Sequence, residues 1–239
     1  MGSHVELAEG VHQLALQPGL NCWVLLDDEG ATLIDTGLHR PGLGPLLGRL
    51  GIAPSDVTRI LLTHGHPDHT GGIEGLKRAG ATPEIRIGEE DLATLHGAAD
   101  QPSSDPSTLG GRLFNRLPKA GPMGAAIAHP EATAVRPGET FPVAGGLEVV
   151  ATPGHTPGHV AYRLPARDVV IGGDVVFNLF RLRPSPAFLC WRVAPNLASV
   201  RRLADLAPGT LALAHGRPVV GDVAGRLTQL DAELGGPGG

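Results

Sequence analysis

With only two cysteines, Cys22 and Cys190, the chain can build neither a disulfide framework nor a cysteine-rich zinc site. Each reads as a small buried apolar residue, and the pair suits a reducing compartment. No apolar run approaches the roughly 20 residues that span a bilayer, and the N-terminus lacks the charged and apolar segments of a signal peptide. The expectation is a soluble, cytoplasmic protein with no membrane partner. Basic charge is not in excess either: 19 lysines and arginines face 24 aspartates and glutamates, a formal charge of -5. That removes the general attraction to nucleic acid, which is not expected as a partner. Tyrosine occurs once, at Tyr162, where core packing is the expected role. No serine or cysteine stands in a nucleophile setting, and no internal repeat is strong enough to argue from, although a meander-then-helix pattern occurs in both halves.

What is present suits one globular domain over 1–239: 41% of the residues are hydrophobic, and the 35 glycines and 22 prolines are spread among apolar segments as tight connections. The opening "MGSH" matches a cloning-tag remnant, so His4 is set aside. Val11 to Leu16 and Cys22 to Leu26 read as strands, and "DDEG" turns the chain into "ATLIDTG". "PLLGRLGI" predicts a short helix, "VTRILLTH" a buried strand, and "GGIEGLKRAG" a helix closed by Gly80. "EIRIG" is strand-like and "EEDLATLHG" helical, and 89–130 as a whole reads as an insertion or lid. Strand signals return in "TFPV", "LEVVATPG", "HVAYRL" and "DVVIGGD"; the helix "NLASVRRLADL", the strand "TLALAHG" and the helix "VAGRLTQLDAEL" close the chain.

The chemistry concentrates in "LLTHGHPDHTGG", where His64, His66, Asp68 and His69 fall within six residues on a strand-to-helix loop. Imidazole and carboxylate suit borderline cations such as zinc, and an extended His-x-His can aim two rings at one ion. Asp68 and His69 are then near enough to serve a second ion. More ligands are needed, and three further predicted strands each end on one: His155 in "TPGHTPGH", Asp174 in "IGGD" and His215 in "LALAHG". His12, His39, His96 and His129 lack such a setting and read as ordinary surface or loop residues.

The ordered set "HxHxDH", histidine, aspartate, histidine resembles the metallo-β-lactamase superfamily, and so does the early "NCWVLL…LIDTG". The resemblance implies an α+β fold, a four-layer αββα sandwich of two mixed β-sheets flanked by helices. It also implies two zinc ions: His64, His66 and His155 on one, Asp68, His69 and His215 on the other, and Asp174 bridging. Asp35 is placed as a hydrogen-bond partner that orients a ligand, and His159 in a supporting role. The implied activity is hydrolysis of a small ester, thioester or lactone by a metal-bridging hydroxide, with Asp68 and Asp174 catalytic.

Branches of the superfamily separate on single positions. True β-lactamases lack the aspartate that Asp174 matches. "THGHPDHTGG", "GHTPGH" and "GDVVF" resemble the glyoxalase II type, but the tyrosine expected two residues after the last histidine is Arg217, and only residues 216–239 remain for a glutathione-binding helical domain. Lactonases place a tyrosine where this chain has Phe177. Persulfide dioxygenases, the alternative reaction, would use one Fe2+ on His64, His155 and Asp174. Phe177, Arg181 and Arg183, in a 177–193 segment that also holds Arg192, are the expected substrate contacts, for an apolar acyl group and an anionic end. A homodimer interface there is the equal alternative.

Overall fold

The computed structural model describes residues 2–28, 30–39, 42–117 and 127–234. A run of tight turns lays down β1 (Ser3–Ala8), β2 (Val11–Gln17), β3 (Leu20–Asp27) and β4 (Gly30–Ile34) as an antiparallel meander. The helix α1 (Leu43–Arg49) then carries the chain back, so that β5 (Val57–Leu61) joins β4 in parallel. After α2 (Pro67–Thr70) and α3 (Ile73–Arg78), β6 (Glu84–Gly88) and β7 (Thr133–Val135) extend the sheet in parallel to seven strands in sequential order. Helical crossovers are what parallel neighbours require.

Between β6 and β7 lie α4 (Leu92–Leu95) and α5 (Leu109–Phe114). The second sheet gathers β8 (Thr140–Phe141), β9 (Leu147–Ala151), β10 (Val160–Leu164) and β11 (Val169–Ile171). A separate ribbon, β12 (Val176–Phe177) with β13 (Arg183–Pro184), and the helix α6 (Val193–Asp205) come next. The strand β14 (Thr210–Ala212) pairs in parallel with β11, and β15 (Val219–Val220) and α7 (Val223–Glu233) finish the fold.

Side-chain alternation along the strands divides the apolar residues among three cores. Trp23, Leu25, Ile34 and Leu61 point between the sheets, to meet Val149, Tyr162, Ile171 and Ala212. Their neighbours Cys22, Val24, Leu33 and Ile60 point outward to Leu46 and Leu47 of α1 and Ile73 and Leu76 of α3. On the other side Ala161, Val170 and Leu211 face Val200 and Leu203 of α6 and Leu227 of α7. Strands buried on both faces explain the near-continuous apolar runs in the sequence. The result is the expected four-layer αββα sandwich of two mixed sheets. Tyr162 sits in the central core with its hydroxyl donating to Leu62 O at 2.8 Å.

Two details differ from the sequence reading. Residues 3–8 form an edge strand, with His4 opposite Leu14, although "MGSH" carries no strand signal. Its exposed side chains give it little apolar patterning. His129, expected to be an ordinary surface or loop residue, lies on a loop but is buried, with Glu74 and Glu131 carboxylates 3.8 and 3.6 Å from its Nδ1. Residues 89–130, read as an insertion or lid, carry the short helices α4 and α5, and their 118–126 portion lies outside the described residues. Among the described residues no helix is long and apolar enough to cross a membrane.

Candidate metal centre

Beyond β5 the chain bends at Thr63 and runs without helix to His66, itself extended, and the His64 and His66 rings meet on one side of the loop. Pro67 then opens α2, its fixed φ suited to a first helical position. Asp68 and His69 therefore leave the loop in a different direction. The two glycines that follow have a steric cause: a Cβ on Gly71 would lie 2.2 Å from His39 N, and one on Gly72 2.3 Å from Thr36 O. That close approach lets Thr36 N–H donate to His69 O at 2.7 Å and fixes the turn bearing His69.

The second sheet delivers the remaining donors. His155 lies on the loop after β9, Asp174 after β11 and His215 after β14. His66 Nδ1 is 3.0 Å from His64 Nε2 and 2.9 Å from His155 Nε2, so three ring nitrogens converge. The Asp174 carboxylate stands 3.5 Å from His69 Nε2, 3.4 Å from His155 Nε2 and 3.3 Å from His215 Nε2. Asp68 is 3.8 Å from His69 and 3.4 Å from His215. All seven sequence-predicted donors thus meet at one end of the sandwich. Three sets have donor atoms within 4.8 Å of one another: His64, His66 and His155; His64, His69 and Asp174; Asp68, His69 and His215.

A cation fits this arrangement on two counts. His69 Nε2 and Asp174 Oδ1 are buried and have no hydrogen-bond partner, a costly state that a shared cation relieves. The donor set of imidazoles and carboxylates is also the one borderline divalent ions take.

Electrostatics divide the cluster. Burial holds His64 and His155 well below the usual imidazole range, and the facing rings of His69 and His66 push each further down. These rings are neutral, with lone pairs to offer. On the opposite side burial would also lower His215, but the Asp174 and Asp68 carboxylates raise it to about 9. Asp35 and Asp174 likewise outweigh burial at His69 and hold it well above its ordinary value. Burial would raise Asp68, yet His69 and His215 bring it down to about 2. Without metal, one half is neutral and in the other protonated His69 and His215 face the carboxylates of Asp35, Asp68 and Asp174.

The supporting residues are as specific. Asp35 Oδ2 accepts from Thr63 Oγ1 and lies 2.8 Å from His69 Nδ1, while its Oδ1 accepts from Thr63 N–H at 2.8 Å. His159 Nε2 accepts the Asp174 backbone N–H at 3.0 Å, so Nδ1 carries the hydrogen and donates to Thr152 Oγ1 at 2.8 Å. Burial drops this ring to about 3, which keeps it neutral and able to accept. Ser185 Oγ lies 2.8 Å from His155 Nδ1.

Sequence reasoning missed Asp91. Buried on the turn before α4, it accepts from Gly65 N–H at 3.2 Å, Thr156 Oγ1 at 2.6 Å and Gly158 N–H at 2.8 Å. It ties the His64–His66 loop to the His155 loop. The only signal was an acidic triplet, "EED", ahead of a helix. Of the expected substrate contacts, Phe177 is at the centre, stacked on His215 with ring centroids 4.5 Å apart. Arg181 and Arg183 are exposed on the β12–β13 ribbon and form no ion pair among the described residues.

Comparison with known proteins is consistent with this geometry. The model of the metallo-beta-lactamase superfamily matches residues 19–215. The probable metallo-hydrolase YflN of Bacillus subtilis (strain 168) is 28% identical over 251 residues, covering 98% of this chain and 94% of that one. A hydroxyacylglutathione hydrolase of Cupriavidus metallidurans is 33% identical over 198 residues, covering 78% of this chain but 58% of its own length. Among solved structures, a metallo-beta-lactamase family protein of Thermus thermophilus, TTHA1429, superposes with a TM-score of 0.74 at 26% identity, over 96% of this chain and 80% of that one.

Proposed function

Because the chain belongs to the metallo-β-lactamase superfamily, a family of metallo-hydrolases, we propose that it is a cytoplasmic, dinuclear zinc hydrolase of a small ester, thioester or lactone. The observation that carries the reading is the convergence of seven donors, with His69 Nε2 and Asp174 Oδ1 buried 3.5 Å apart and neither holding a hydrogen-bond partner. In this reading His64, His66 and His155 hold one ion, Asp68, His69 and His215 the other, and Asp174 both. A pair of divalent ions held there would lower the pKa of water toward neutrality and polarise a carbonyl.

The protein's own groups supply the rest. Asp35 orients His69 and His159 fixes the backbone of Asp174, the support that metal-binding imidazoles and carboxylates need. Asp68, ionised and at the edge of the cluster, accepts the proton that water gives up and passes it to the departing oxygen or sulfur. Phe177, Arg181 and Arg183 contact the substrate. Arg217, in place of a tyrosine, argues against glutathione as the thiol. Cys22 and Cys190, buried and unpaired, suit a reducing cytoplasm.

Elemental analysis of protein purified without chelator tests the reading. Two zinc ions per chain are expected, and Asp68→Asn should retain one; a single iron would overturn the hydrolase in favour of persulfide oxidation.

The charge division gives a second expectation. Zinc should enter the neutral His64–His66–His155 set with little pH dependence above neutrality. The second step must displace protons from His69 and His215, so its affinity should climb as pH rises toward about 9. Calorimetric zinc titration in buffers of different ionisation enthalpy counts those protons. A second step that releases none would refute the division.

A further inference from the structure

Beside the donors lies a set of apolar side chains, part-buried at Phe177 and exposed beyond it, for which metal binding has no use. Phe177 starts it, 4.5 Å from the His215 ring and 6.5 Å from that of His155. The ribbon then carries Leu179 and Phe180, 49% and 102% exposed. Beyond Ser185, which touches His155, a turn bears Phe188 before Trp191 N–H donates to His155 O at 2.8 Å. Phe188 is thus tied to His155 from both sides along the chain. Its ring lies 5.6 Å from Phe114 of α5, and both rings are exposed, as is the neighbouring Leu113. Single exposed apolar residues are ordinary; several on the segments that flank a metal site and hydrogen-bond to His155 are not.

Charge points to the ligand's second property. No aspartate or glutamate occurs in 106–117 or in 175–193, although these stretches hold Arg112, Arg116, Arg181, Arg183 and Arg192. Arg112, Arg116, Arg181, Arg183 and Arg192 form no ion pair among the described residues, whereas Arg59, Arg86 and Arg136 each hold a glutamate. On a chain of formal charge -5, arginines without ion-pair partners on α5, the β12–β13 ribbon and the segment after Phe188 make these elements a cationic, apolar rim, with Asp105 as its one acid, held by Val193 N–H.

We infer that this rim binds an amphiphilic substrate: an ester or thioester with an extended apolar acyl chain on Phe177, Phe188 and α5, and an anionic leaving group facing the arginines. The inference rests on the hydrolase reading for its reaction. The acyl C–S bond breaks, the acyl carbon gains the oxygen of water, and the thiol takes the proton, with no further reactant. A second copy of the chain is a poorer occupant, because a two-fold contact would set the arginine-rich face against itself. A bilayer surface would not require the set to begin at the donors.

The zinc-loaded enzyme should be assayed with acetyl and octanoyl thioesters of coenzyme A, which is anionic, and of N-acetylcysteamine, which is neutral. The octanoyl chain should raise kcat/KM about tenfold or more over acetyl, and coenzyme A should be preferred to the neutral thiol. Leu113→Ser with Phe188→Ser should cut the octanoyl-to-acetyl ratio about tenfold. Arg181→Glu with Arg183→Glu should cut the anionic-to-neutral ratio. Turnover without chain-length preference would overturn the rim and leave the hydrolase standing. Tight binding of the uncleavable thioether S-octyl coenzyme A, lost in the variants, with no turnover of any thioester, would do the reverse. Loss of a dimer in Phe188→Ser, or of sedimentation with phosphatidylglycerol vesicles, with no chain preference, would give the face to a second copy or to a bilayer and overturn the substrate assignment.

Discussion

Replacing Asp174 by alanine should lower turnover by roughly two to four decades and reduce the metal content from two ions per chain to one or none. Its carboxylate approaches His69, His155 and His215 within 3.5 Å, more imidazoles than any other acid in the cluster. Removing one partner from a buried charged network costs about 3–5 kcal/mol of stability, and a loss of transition-state stabilisation of the same size, at about 1.36 kcal/mol per decade of rate, gives the expected fall in turnover. Two cations held by the remaining donors would also repel one another with no anion between them. Steady-state assay with metal analysis on the same preparation checks both halves. Full activity at unchanged stoichiometry would remove Asp174 from the site. Asp174→Asn is the informative companion, because it keeps the shape and the backbone contact to His159 while deleting the charge.

The second large effect should come from Asp35, expressed as stability more than as rate. It is buried at 1% exposure and accepts three hydrogen bonds, two from Thr63 and one from His69. Alanine leaves two buried Thr63 donors unmatched and His69 without its oriented partner. A loss of about 3–5 kcal/mol is expected, which for a chain of this size lowers Tm by about 6–20 °C. Thermal denaturation of the metal-free protein reads this directly. A shift below a few degrees would mean that water replaces the carboxylate. In whatever fraction folds, metal affinity should fall by about 10–100-fold, and Asp35→Asn should recover part of both losses.

Much of this site can be read from the chain because its donors obey local rules. The cluster from His64 to His69 occupies one loop, and His155, Asp174 and His215 each follow a strand whose apolar run is visible in sequence. The four layers are legible for the same reason: Cys22 and Trp23, or Val170 and Ile171, sit side by side in sequence and fall on opposite faces of a sheet. What escapes is whatever depends on partners distant in sequence. The bonds of Asp91 go to two backbone N–H groups and a threonine hydroxyl, 26 to 67 residues away, which no spacing announces. The burial of His129 arises from packing around Leu95, whose carbonyl accepts its N–H. The edge strand at 3–8 has almost no buried side chain and so no alternation to detect.

The Asp91 link has a consequence for how the protein handles metal loss. By holding Gly65, Thr156 and Gly158 together through protein groups alone, it joins a loop of the first sheet to a loop of the second before any ion arrives. The ordering entropy of the His64–His66–His155 set is therefore met during folding and not at loading. A chelator should strip such a site without melting its walls, and added zinc should refill it as fast as ions diffuse in and shed their water. The protein would then outlast passing metal scarcity as a folded, rechargeable shell.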